Sequence, residues 1–293
     1  MRADLDDLVI ALYVTIDEQL DRRHRWGRPP RLSDAELVCL AVAQVLLGCN
    51  SERRWLRFAR VRLGHLFPYL PSQAGYNKRL RAAAGHLAWA IRCLAIRERG
   101  WRAPLRLLDS TPLPCGASRQ TVQRSDLAGL AGYGYCAAHS RWFWGLRLYL
   151  LTTGDGMPLN WCLATPKLGE REVAEALLAD TPPPWLAGAS VYTDKGFAGR
   201  DFERHVGELG AVVLRPDRAD EPRRHGSLGG IRQWVESVID TLKGQLGLEQ
   251  HGGRTPAGVF VRVAQRLLAL AAVLWFDHCW LGQPGRHLTA YDH

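Results

Sequence analysis

The spacing of apolar residues changes period once along this chain, near Pro104, and that change divides what can fold on either side. Before it, apolar side chains recur every three to four residues. Leu5, Leu8, Val9, Leu12, Ile16 and Leu20 make one helical stripe. Ser33 and Glu36 stand at capping-box spacing and open a second helix, expected to reach about residue 47. A third is expected over 52–63, and Ser72 caps a fourth running to about residue 98. The stretch 25–31, with Gly27, Pro29 and Pro30, reads as a linker.

After Pro104 the runs shorten and alternate. Residues 105–109, 142–153, 157–165, 189–194 and 211–214 read as strands, and 170–179, 200–209, 231–248 and 256–281 as helices. The segment 115–141 is rich in glycine and serine and shows no clear period. Three strands followed by alternating helices and strands imply an α/β fold, a mixed sheet flanked by helices. The expected domains are an all-helical region over 1–100, the sheet-bearing core over 101–281 and a tail over 282–293.

Charge divides the chain at nearly the same place. Its 38 basic and 29 acidic residues leave a net charge of +9. Residues 1–104 hold 18 basic and 10 acidic residues, against 20 and 19 in the remainder. A basic module before a near-neutral one suggests a polyanionic partner, most commonly nucleic acid. A hydrophobic content of 47% excludes a wholly disordered chain. Seven scattered cysteines with no Cys-x-x-Cys pair argue against a disulfide scaffold or zinc ribbon and are expected to be reduced thiols. The most apolar stretch, 259–281, is interrupted by Arg262, Gln265, Arg266 and Asp277, so a buried helix and no membrane span is expected.

Acids fall at telling positions. Asp109 closes the first strand, Asp194 closes the fourth, and Glu236 lies one and a half turns into a later helix. If those strands are neighbours, both aspartates leave one sheet edge, and a helix across that edge supplies a third carboxylate. Alone, such an aspartate is usually a turn former or helix cap. Three converging carboxylates repel one another unless a cation sits between them, and Mg²⁺ suits such hard oxygen donors. Two such ions can activate an attacking oxygen and stabilise a leaving one. Arg232, Glu236, Asp240 and Lys243 are spaced to share a helix face, either as a salt-bridge ladder or with Arg232 and Lys243 on phosphates beside Glu236. Only four lysines occur, and Lys195 directly follows Asp194.

The strings Leu108-Asp109-Ser110-Thr111-Pro112-Leu113-Pro114, Tyr192-Thr193-Asp194-Lys195-Gly196-Phe197 and Arg232-Gln233-Trp234-Val235-Glu236, followed by Lys243, resemble the catalytic signatures of DDE transposases from bacterial insertion sequences. The resemblance implies a ribonuclease-H-like core and metal-dependent DNA cleavage at terminal inverted repeats. Attack of the freed 3′-hydroxyl on target DNA would follow. Asp109, Asp194 and Glu236 would hold two Mg²⁺ ions, with Mn²⁺ as a substitute. Lys243 and Arg232 would contact transposon-end phosphates. It further implies double-stranded DNA as partner, a homodimer on paired ends, and a cytoplasmic, nucleoid-associated setting.

The basic helical region reads as a helix-turn-helix variant for DNA. Arg53, Arg54, Arg57 and Arg60 would grip phosphates, while Gln73, Tyr76, Asn77, Lys78 and Arg79 line the first turns of the fourth helix as groove contacts. A solvated basic helix is the plainer alternative. Trp142, Phe143, Trp144 and Trp275 are expected in the core. Cys136 and His139 lack further ligands at zinc spacing and read as structural. Two other functions stay open: a ribonuclease-H-like nuclease without strand transfer, and an inactive DNA-binding derivative. The presence of all three acids counts against the second.

Overall fold

A computed structural model describes residues 4–19, 30–136, 140–217, 221–222, 224, 226–283 and 285–291. Most of the expected linker at 25–31, and His139, lie outside the described residues. The chain forms two compact units, one made of Met1–Glu98, Leu242–Gly253 and Ala257–His293, the other of Arg99–Thr241 and Arg254–Pro256.

The first unit is helical. Helix α1 (Leu5–Asp17) is capped by Asp4, whose carboxylate accepts the Asp6 N–H. Both arms of the Ser33/Glu36 capping box are present at the start of α2 (Asp34–Leu46). In α2, 11 of 13 residues are buried, so it is enclosed on all sides. Helix α3 (Glu52–Arg62) buries Trp55, Leu56 and Ala59. The expected fourth helix is two, α4 (Gln73–Ala82) and α5 (Ala84–Glu98). They part at Ala83, whose N–H turns back to the Arg79 and Leu80 carbonyls.

The long helix α11 (Pro256–Cys279) also belongs to this unit. By length and composition it could cross a membrane, yet 89% of its most apolar window is buried in the fold. The Gln265 amide donates to the Ala41 carbonyl and to Gln44, stitching α11 to α2. The expected single boundary near residue 100 is therefore replaced by a chain that returns to its first unit. Within the expected tail, Leu288 and Tyr291 are buried.

The second unit is a six-stranded mixed sheet. Strand β1 (Leu105–Gly116) lies between the antiparallel β3 (Arg141–Thr153) and the parallel β5 (Ser190–Tyr192), and β6 (Val212–Leu214) follows β5 in parallel. On its far side β3 pairs first with β2 (Gly132–Cys136) and then with β4 (Pro158–Ala164). The helices are α6 (Arg119–Arg124), α7 (Glu170–Ala179), α8 (Pro183–Leu186), α9 (Arg200–Glu208) and α10 (Gly229–Asp240).

Three expectations change here. β1 does not stop at Asp109 but continues through Pro112 and Pro114, because β5 pairs only with residues 105–107. Beyond them β1 is an edge, where prolines are tolerated. Within the glycine-rich segment, Arg119–Arg124 form α6 and Gly132–Cys136 form β2, elements too brief to show a period. Phe143, Trp144 and Trp275 are buried as expected, but Trp142 is 71% exposed, its ring tilted against that of Tyr135.

Candidate active site

Strand register brings the two aspartates together. Leu107 of β1 is the partner of Tyr192 in β5, so Asp109, two residues further along β1, and Asp194, two residues past the end of β5, leave the same end of neighbouring parallel strands. Asp194 keeps an extended backbone (φ −76°, ψ 179°), and the Thr193 N–H still donates to the Leu214 carbonyl. Side chains alternate across a sheet, so both acids share the face of Leu107 and Tyr192. Val235 of α10 packs on that pair, with Leu105, Leu214, Leu228 and Ile231 around it. Glu236 is the next residue.

Tyr192 reports the convergence. Burial raises the pKa of its hydroxyl, Arg232 opposes this, and the charges of Asp194, Asp109 and Glu236 raise it further. One buried phenol thus feels all three acids and the arginine.

Each acid has its own local partner. Asp109, half-buried, accepts the Ser110 N–H at 2.7 Å. Asp194 is exposed and accepts the Gly196 N–H at 2.8 Å, which starts a tight turn over Lys195–Phe197. Phe197 anchors that turn in the core beside Phe202. Lys195 remains exposed. Glu236 accepts from Arg232 Nε at 2.8 Å, and that bond raises the arginine's pKa. Both side chains are more than half exposed, so the pair contributes little stability and can part at small cost.

A fourth carboxylate, which sequence reasoning missed, stands close by. Glu170 opens α7, accepts from the Ser110 hydroxyl at 3.4 Å and is ion-paired with Arg147. A Cβ on Gly196 would lie 3.0 Å from Asp194 Oδ1 and 3.2 Å from Glu170 Oε2. Glu170 gave no signal in the sequence, where an acid in the first turn of a helix is ordinary.

The rest of the expected set divides. Arg232 and Glu236 do share a face of α10. After Asp240 the helix widens into a π turn (Thr241–Gln245), which adds a residue per turn and takes Lys243 off that row. Lys243 falls in the helical unit and pairs with Glu249 at 3.5 Å. On α3, Arg53, Arg54, Arg57 and Arg60 are exposed opposite the buried Trp55, Leu56 and Ala59. On α4, Gln73 and Lys78 are exposed.

Three expected groove contacts are instead internal ties. Tyr76 is fully buried and its hydroxyl donates to Gln44. Asn77 donates to Glu52 and accepts from Arg262. Arg79 donates to the Leu32 carbonyl and pairs with Asp34 at 2.8 Å.

The donor set around Tyr192, carboxylates without thiol or imidazole, suits a hard divalent cation. Among the described residues no three acids, cysteines or histidines lie close enough to share one ion, and Glu236 is engaged by Arg232. In chemistry the site fits the metal; in this arrangement the ligands are gathered but not closed.

Leaving β2 aside, the sheet runs β4-β3-β1-β5-β6, with carboxylates where its two central parallel strands part. That is the ribonuclease-H-like class. A family model described as "Transposase DDE domain" matches residues 100–272, and the chain belongs to that family. Among solved structures, the chain is similar to a piggyBac transposase synaptic complex with hairpin DNA. The identity is 8% and the TM-score 0.43, over 98% of this chain and 76% of that one. No curated protein matches the sequence.

Proposed function

We propose that this transposase cuts double-stranded DNA at transposon ends and joins the freed strand to target DNA, with Asp109, Asp194 and Glu236 as its catalytic acids. The observation that carries this reading is the strand register that sets Asp109 and Asp194 at the same end of neighbouring strands, past the Leu107–Tyr192 pair, with Val235, the neighbour of Glu236, packed on that pair. In cleavage, water attacks a phosphodiester and the 3′-oxygen leaves as a hydroxyl. In joining, that hydroxyl attacks a target phosphodiester, so one bond forms as another breaks.

Asp109, Asp194 and Glu236 would hold Mg²⁺ or Mn²⁺, which when bound polarises the phosphate and lowers the pKa of an attacking oxygen. The protein's own groups do the rest. Ser110 and Gly196 fix Asp109 and Asp194 through backbone N–H bonds. Arg232, once Glu236 turns away from it, presents its guanidinium to a phosphate. Lys195 serves the same strand, and in the helical unit Lys243, the α3 arginines, Gln73 and Lys78 hold DNA backbone phosphates. Two copies act on paired ends.

The test is substitution with charge removed and shape kept. Asp109→Asn, Asp194→Asn and Glu236→Gln should each lower cleavage of a terminal-repeat duplex about a thousandfold, the several kcal/mol expected of metal-assisted catalysis. Duplex affinity should stay within about twofold, since phosphate binding rests on Lys and Arg. Undiminished cleavage by the Glu236→Gln protein would move the third acid to Asp240. Cleavage without joining would identify a nuclease.

A further inference from the structure

The helical unit encloses a cavity of about 150 Å³ between the end of α2, the segment after Lys243 and α11. Its wall contains Arg262, Arg266, His251 and the amides of Gln44, Asn50 and Gln265, and no aspartate or glutamate. Gly48, Asn50 and Gln245, also on the wall, are exposed, so solvent reaches it.

Arg266 is the unusual member. It is 4% exposed, and its bonds run to the carbonyls of Gly247 (2.9 Å), Arg262 (3.0 Å) and Gln250 (3.4 Å). A guanidinium has five N–H donors, so these bonds leave two. Arg262 has its charge answered by Glu52. Among the described residues no carboxylate lies within ion-pair distance of Arg266. Burial, with Arg262 beside it, lowers its pKa to about 10, which still leaves it charged at neutral pH. A buried, uncompensated cation facing a polar cavity is unfavourable until an anion joins it.

We infer that this cavity is a phosphate-binding site centred on Arg266, distinct from the acids around Tyr192. The cavity is well below the ~300 Å³ at which pockets begin to hold whole small molecules, which suits a tetrahedral anion and excludes a nucleoside. Arginine is suited to phosphate oxygens because its donors are planar and paired. Gly244 and Gln245 on the wall directly follow Lys243, so a DNA backbone phosphate and free orthophosphate are the two sources of the same group.

Cys49 lines the cavity, is half-buried and has its pKa raised by burial, which makes it a local reporter. The experiment is alkylation of the intact protein at mildly alkaline pH, read per cysteine by peptide mass, with the exposed Cys279 as internal control. At matched ionic strength, orthophosphate at ten times its Kd should slow Cys49 about tenfold relative to chloride and leave Cys279 unchanged. Gln245→Glu, which places a carboxylate at the wall and keeps Arg266, should abolish protection. Arg266→Met should do the same, and if that variant fails to fold, Gln245→Glu decides alone. Protection by a short duplex in phosphate-free buffer, lost in Gln245→Glu, assigns the group to DNA; protection by orthophosphate and not by the duplex assigns a free anion. Absence of protection by both, or protection unchanged in Gln245→Glu, overturns the site. Either result leaves the reading of Asp109, Asp194 and Glu236 standing.

Discussion

Gly196 shows how tightly one residue can be held by the chemistry around it. Its N–H orients Asp194, and the space a side chain would fill is bordered by two carboxylate oxygens. Contacts of 3.0 and 3.2 Å are closer than a methyl group accepts without displacing a neighbour. The expected outcome for Gly196→Ala is that Asp194 gives way by a few tenths of an ångström, with cleavage falling by about tenfold, less than the hundredfold loss of a 1 Å misplacement. The turn itself survives, because Phe197 anchors it, so the melting temperature should move little. A thermal scan beside a cleavage rate separates these effects; unchanged cleavage would show that Asp194 does not depend on the turn.

At the scale of elements, α9 is tied to the loop after β6 by buried charge. Arg215, with a side chain only 5% exposed, pairs with Glu203 of α9 and with Glu221. Those bonds, first the ones Arg215 donates to Glu221, outweigh burial and raise the arginine's pKa. Burial pushes the Glu203 carboxyl up, but Arg215 and Arg224 outweigh it and hold the pKa below its ordinary 4.5. A carboxyl depressed on folding contributes stability that is present above its unfolded pKa and lost as pH falls through the folded value. Urea unfolding across pH 6 to 2 should therefore show an acid-side loss that Glu203→Gln reduces. Arg215→Met leaves Glu203 and Glu221 to the more exposed Arg224 alone and should cost about 2 kcal/mol near neutral pH. A cost near zero would mean that the cluster is solvated and adds no stability.

For the whole molecule, two features act over long distances. The first is the cationic stripe on α3. Replacing Arg53, Arg54 and Arg57 with alanine should weaken duplex binding and flatten its dependence on log salt by roughly 0.9 for each phosphate that is no longer neutralised. A titration at several salt concentrations reads this directly, and an unchanged slope removes α3 from the interface. The second is the return of the chain. Because α11 packs with α2 through Gln265, a chain ending at residue 253 lacks part of the first unit's core. Circular dichroism on that truncation should show the N-terminal helices largely unfolded, whereas a self-sufficient N-terminal region would keep them.

Several elements were legible from residues alone because their causes are local. The Ser33/Glu36 box, the strands at 142–153 and 211–214, the α3 stripe and the pairing of Arg232 with Glu236 depend on neighbours within about four positions. The three acids were identifiable as candidates by type and spacing. Tertiary structure decided what covers each surface: it buried Tyr76, left Trp142 open and carried β1 past two prolines along an unpaired edge. It also widened the helix at Lys243, brought Glu170 to Ser110 and returned α11 to the first unit. Periodicity records which residues avoid water, but not which distant segment covers them. That is settled only when strands choose partners and helices choose faces.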